Sequence, residues 1–171
     1  MNNKEAAIDT IRNAEVVVLS TINTEGYPES RALLNLANPK QYPSLASVVG
    51  STLESAGDGE AITLYLGTNT SSSKVAQVRA DGRASLYYCV PGSFHGVWIS
   101  GDMEVVTDQA EKDRYWVDGW EMYYPKGKTD DDFCLLKIKA KRMRLYRNLS
   151  VAELRGDGSP NDGSPNDGSQ A

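Results

Sequence analysis

The sequence has a single histidine, His95, and only two cysteines, Cys89 and Cys134, in 171 residues. One imidazole and two scattered thiols do not make a transition-metal site, so no metal is predicted. The cysteines sit in separate apolar runs and form no CxxC pair, which excludes a disulfide scaffold and predicts buried free thiols in a reducing compartment. There is no excess of basic charge: 18 Lys and Arg stand against 23 Asp and Glu, a net charge of −5. The electrostatic footprint of a nucleic-acid binder is therefore missing. No run approaches the ~18 apolar residues that cross a bilayer. The opening residues, Met1 to Glu5, are polar and lack a signal-peptide core, and the protein is expected to be soluble and cytoplasmic.

What is present is enough chain for one ordinary domain with its own core. Its centre is the stretch from Ile62 to Val78. Ile62, Leu64 and Leu66 alternate with Thr63 and Tyr65, the pattern of a half-buried strand. A hydroxyl-rich cluster follows, Thr68-Asn69-Thr70-Ser71-Ser72-Ser73, and then Lys74, Val75 and Val78 at helical spacing. A strand, a turn and a helix N-terminus are predicted in that order. Two uses of such a turn remain open on these residues alone. It is an N-cap, with a hydroxyl bonding an amide of the first turn. Or it is a phosphate site, in which free amides, the helix dipole, serine hydroxyls and Lys74 converge on an anion.

Elsewhere, residues 3–13 read as a short helix. Val16 to Thr21 and Glu29 to Leu36 read as a hairpin turning at Thr24-Glu25-Gly26-Tyr27-Pro28. Pro43 to Ser55 is spaced like a helix stopped by Gly57-Asp58-Gly59, and the helix starting near Ser72 is expected to end at a glycine cap, Asp81-Gly82. Ala84 to Val90 and Val97 to Val106 are strands, the second bent at Gly101. Asp108 caps a helix through Trp116, an irregular aromatic segment runs to Tyr124, and Cys134 to Tyr146 forms one or two closing strands. Lys137, Lys139, Lys141, Arg142 and Arg144 read as one solvated strand face protecting an edge. These elements predict a mainly β, α+β fold: a six-stranded antiparallel barrel with short flanking helices, because the turns are too short for parallel crossovers. Residues 1–150 make the domain. Residues 151–171 are expected as a flexible tail, ending in a repeat of Asp-Gly-Ser-Pro-Asn from Gly156 onward that has too few apolar side chains to order itself.

With these residues in place, the chain resembles the pyridoxamine 5′-phosphate oxidase-like FMN-binding split-barrel family, in its general stress protein branch. The resemblance covers roughly residues 5–147 and rests on four segments: Ser30-Arg31-Ala32-Leu33-Leu34, Thr68 to Lys74, Trp98-Ile99-Ser100-Gly101, and Trp116 through Trp120 to Tyr124-Pro125-Lys126-Gly127. It implies that Arg31 reaches the flavin phosphate and that the backbone of Ala32, Leu33 and Leu34 contacts the ring. It implies that Thr68, Asn69, Ser72, Ser73 and Lys74 hold the phosphate and ribityl chain. Trp120 is implied to lie beside a flavin held mainly by the partner subunit of a homodimer. Two departures stand out. Ser73 replaces the arginine that many family oxidases place before the lysine, and Arg142 to Arg147 contains no histidine where the oxidase proper has an Arg-x-His pair. Pyridoxamine phosphate oxidation is disfavoured accordingly.

The function this implies is an FMN-binding redox protein, an FMN-dependent oxidoreductase acting on a small molecule. No acid, base or nucleophile stands out, so no catalytic residue is named. A non-catalytic flavin carrier or stress-response sensor is the alternative, and deazaflavin or haem is the alternative ligand.

Overall fold

The computed structural model describes residues 1–54 and 59–161. The expected stop at Gly57-Asp58, the end of the preceding helix at Ser55 and the repeat from Asp162 onward lie outside the described residues.

Helix α1 (Asn3–Asn13) is started by a capping box: the Asn2 side chain accepts from the Glu5 amide at 2.9 Å, and the Glu5 carboxylate accepts from the Asn2 amide at 2.9 Å. Strands β1 (Val16–Ile22) and β2 (Pro28–Leu34) form the expected hairpin. Asn23 Oδ1 ties its turn by accepting from the amides of Glu25 and Tyr27, both at 3.0 Å, and Gly26 supplies the left-handed residue at φ 85°. Then come α2 (Ala46–Leu53), β3 (Thr63–Asn69), α3 (Ser73–Ala80), β4 (Arg83–Val90), β5 (His95–Val106), α4 (Gln109–Arg114), β6 (Phe133–Arg147) and β7 (Ser150–Arg155).

All pairings are antiparallel, in the order β2-β1-β4-β5-β6-β3, with β7 alongside β6. This is an antiparallel split barrel. Leu19, Leu66, Leu86, Ile99 and Met143 fill it, each almost fully buried. Strands β2 and β3 end the path and have no strand partner on their outer sides among the described residues. The split lies between them.

Five expectations are corrected. The described strands number seven, because the chain continues past residue 150 as β7, whose Leu154 is fully buried. The boundary placed at 150 therefore falls inside a packed hairpin: Gly156 lies so close to the Ala140 carbonyl that a side chain there would collide with it. Strand β6 is no edge. It pairs with β5 on one side and with β3 and β7 on the other, so its cations face solvent from the middle of the sheet and pair with neighbours, as Arg144 does with Glu153 and Lys137 with Glu111. Gly82 does not cap α3; the capping residue Asp81 is extended, and Gly82 is required because a Cβ would stand 2.9 Å from the Met103 carbonyl oxygen. Cys134 is buried but Cys89 is exposed, since β4 turns Tyr88 inward and its neighbour outward.

The bend at Gly101 is present. Ser100 pairs with Arg142 and Gly101 with Ala140, leaving Lys141 as the extra residue. That insertion explains why the buried positions of β6 step from Ile138 and Ala140 to Met143 and Leu145. No helix among the described residues is long and apolar enough to cross a membrane.

Candidate functional site

A cavity of about 380 Å³ opens at the split, between the free edges of β2 and β3. Ala32, Leu33 and Leu34 of β2, with Val16 of β1, form one apolar wall. Gly67, Thr68 and Asn69 of β3 form the other, Lys74 stands at the start of α3, and Trp120, Tyr123 and Tyr124 complete the lining.

The aromatic side is built on a missing side chain. A Cβ on Gly67 would lie 3.2 Å from Trp120 Cη2, so the indole rests directly on the bare strand. Trp120 is held edge-on by Trp116 and Phe133, each with ring centroids 5.9 Å away, and by Tyr42 at 6.2 Å. Burial pushes the Tyr124 phenol up to about 12, so it stays a neutral donor. Trp120 thus lines the cavity of its own chain.

The turn from β3 into α3 is clamped from a distance. Asp132, just ahead of β6, accepts from Asn69 Nδ2 at 2.7 Å and from the Ser71 amide at 2.8 Å, while its carbonyl accepts from the Thr70 amide at 2.7 Å. The Asn69 side chain and then the Ser71 amide hold the Asp132 carboxyl below its usual range. Ser72 occupies the N-cap position of α3, yet it makes no side-chain capping bond, and its buried Oγ has no hydrogen-bond partner among the described residues. The ordinary capping alternative therefore does not describe this turn. The first-turn amides at Ser73 and Lys74 have no intrahelical acceptor.

Lys74 is half-buried and forms no hydrogen bond or ion pair with any described residue. Burial first, and the positive charge of Arg31 second, push its ammonium below the usual lysine range. Arg31 itself is closely held. Its Nη1 donates to Thr21 Oγ1 at 2.5 Å, and its Nη2 donates to Glu29 Oε1 and Gln77 Oε1, both at 2.9 Å. Two cations are close enough to influence each other; one is engaged and the other is not.

Of the ten residues expected at the site, seven line this cavity: Ala32, Leu33, Leu34, Thr68, Asn69, Lys74 and Trp120. Arg31, Ser72 and Ser73 do not, although Arg31 acts on Lys74 by its charge, and Ser73 is exposed at the first helical position. Sequence reasoning missed Val16, Gly67, Tyr123 and Tyr124. Gly67, an isolated glycine inside an alternating strand, carried a readable sign of close approach. Asp132 and Gln77 carried none, being 63 and 46 residues from their partners Asn69 and Arg31.

Similarity to known proteins agrees with this fold. The structure superposes on a protein related to general stress protein 26, of the pyridoxinephosphate oxidase family, from Clostridium acetobutylicum, with a TM-score of 0.68 and 26% identity over 92% of this chain and 98% of that one. General stress protein 26 from Bacillus anthracis shares the fold at 17% identity, with a TM-score of 0.65 and 91% and 99% of the two chains covered. A haem-binding protein from Mycobacterium smegmatis also shares it, at 16% identity and a TM-score of 0.65, over 92% of this chain and 60% of that one. No curated protein matches the chain significantly. The pyridoxamine 5′-phosphate oxidase family model matches residues 4–147, nearly the whole barrel, and the chain belongs to that family.

Proposed function

We propose that this protein binds FMN in the cavity at the split and transfers electrons or a hydride between it and a small molecule, as a homodimer. The observation that carries the reading is Lys74, a partly desolvated ammonium without an anionic partner among the described residues, placed beside a second cation at the first turn of α3. Such a site is incomplete without an anion, and a phosphate ester supplies one. The Ser72 hydroxyl, buried and unpaired, offers a further donor.

The rest of the cavity suits a flat, largely apolar ring. The outer edge of β2 at Ala32 to Leu34 has no strand partner among the described residues, so the backbone groups there that point away from β1 are open to a ligand. Trp120 and Tyr124 exclude water from the opposite side. Bound FMN would supply the redox chemistry, and the chain would position it. Val16, Leu34 and Tyr123, exposed by 46%, 44% and 58%, leave an apolar rim that a second protomer would cover. Haem has less support, because His95 is not among the lining residues.

Absorption spectroscopy of the natively purified protein, with mass analysis of the ligand released by heat, tests the proposal. A flavin spectrum and the mass of FMN are expected. Deazaflavin, haem, or a colourless protein that fails to take up added FMN would overturn it. Flavin that is retained but never reduced by NADH or NADPH, beside a reductase control, would support the carrier alternative.

A further inference from the structure

Arg31 lies in a partly buried polar cluster whose composition is unusual for an anion site, because it includes a carboxylate. Glu29 and Arg31 are two residues apart on β2 and so project from the same face. On the partner strand Thr21 sits opposite Glu29, and its side chain is fully buried. Gln77, on the second turn of α3, covers the group and is only 9% exposed.

The cluster is tightly bonded. Gln77 Oε1 accepts from Thr21 Oγ1 at 2.5 Å and from Arg31 Nη2 at 2.9 Å, while Gln77 Nε2 donates to Glu29 Oε2 at 3.1 Å. Glu29 Oε1 accepts from Arg31 Nη2 at 2.9 Å. Both N–H bonds of Nη2 are therefore committed, and one of Nη1 goes to Thr21. A guanidinium has five such donors, so Nε and one N–H of Nη1 remain.

We infer that Glu29 sets the charge of the anion site through Arg31, with Gln77 as the positioning residue that holds both, so that Glu29 restrains affinity for a phosphate monoester. Lys74 and Arg31 together would present two positive charges; Glu29 cancels one. The cradle then carries one net positive charge against a phosphate that carries up to two negative ones. Glu29 is 46% exposed on its side chain, so solvent screens part of its effect. The inference rests on the reading of the cavity as a phosphate site, and it assigns a role to a residue that does not line that cavity.

The test is the dissociation constant of FMN and of riboflavin, which lacks the phosphate, for the wild type, Glu29→Gln, Arg31→Met and the double variant. Glu29→Gln is expected to tighten FMN roughly two- to tenfold and to leave riboflavin unchanged. In the Arg31→Met background the same change is expected to do nothing to FMN. Equal effects on both ligands, weaker FMN binding, or a gain that persists without Arg31 would overturn the inference. Glu29→Ser repeats the comparison should Glu29→Gln fold poorly. The thermal shift produced by inorganic phosphate separates this idea from the flavin proposal. A larger phosphate shift in Glu29→Gln, in a protein that binds no FMN, supports the charge-setting role and removes the flavin. No change in either readout removes the role of Glu29 alone when the wild type still binds FMN.

Discussion

The two cations of the site are placed in opposite circumstances, Lys74 at the start of α3 and Arg31 on β2. Lys74 is partly desolvated and has no partner among the described residues, while the Arg31 fork is satisfied by Thr21, Glu29 and Gln77. A satisfied cation gains little from a ligand, because each new contact displaces an existing one. An unsatisfied cation gains in full and also recovers its desolvation cost. Positive charge in a cavity is thus a poor guide to ligand affinity until its existing partners are counted.

The largest expected effect is on the unsatisfied side. Lys74→Ala is expected to weaken FMN binding by about ten- to a hundredfold, on the order of 1.5–3 kcal/mol, with an unchanged circular dichroism spectrum. Arg31→Ala is expected to weaken it by less than about tenfold, yet to destabilise the fold by about 1–3 kcal/mol in denaturant unfolding, because Gln77 and Glu29 lose their partner. Equal losses of affinity in the two variants would break the comparison.

The clamp on the turn comes next. Asp132→Ala removes the acceptor for Asn69 and Ser71, and is expected to cost about 1–2 kcal/mol of stability and a few-fold in FMN affinity. Because the Asp132 carboxyl is held below its ordinary range, its contribution is complete above the ordinary value of 3.8 and fades as the pH falls through the lowered one. Wild type and Asp132→Ala should therefore converge in melting temperature in acid.

The smallest effect sharpens the Lys74 side without any flavin. A lysine with a lowered value binds its proton less tightly folded than unfolded, so its charge opposes folding at neutral pH, and this cost disappears as the pH climbs toward 10.5. Lys74→Met is expected to raise the melting temperature of the ligand-free protein by about 1–3 °C at neutral pH, and by less in alkali. A lowered melting temperature would mean that Lys74 has a partner in solution.

Local pattern carried the elements well. The alternation in β3 and β4, the Asp108 cap and the bend at Gly101 were legible because each is decided by residues within a few positions of one another. Strand β7 was not, because Val151, Ala152 and Leu154 form too short an apolar run to announce a strand until β6 provides an edge to pair with. The family resemblance grouped Ala32 to Leu34, Lys74 and Trp120 as expected cofactor contacts, and the structure lines one cavity with them. What each charged group touches was not legible.

The sequence alone determined the alternating strands, the turn ahead of α3 and a supply of apolar residues sufficient for a core, since propensity and periodicity are local. Only the tertiary structure decided that β2 and β3 would face each other as free edges, that Asp132 would clamp a turn 63 residues away, and that Arg31 would be engaged while Lys74 would not. Those outcomes depend on burial and on hydrogen-bond partners brought together by the closing of the sheet, and neither is a property of any short stretch of chain.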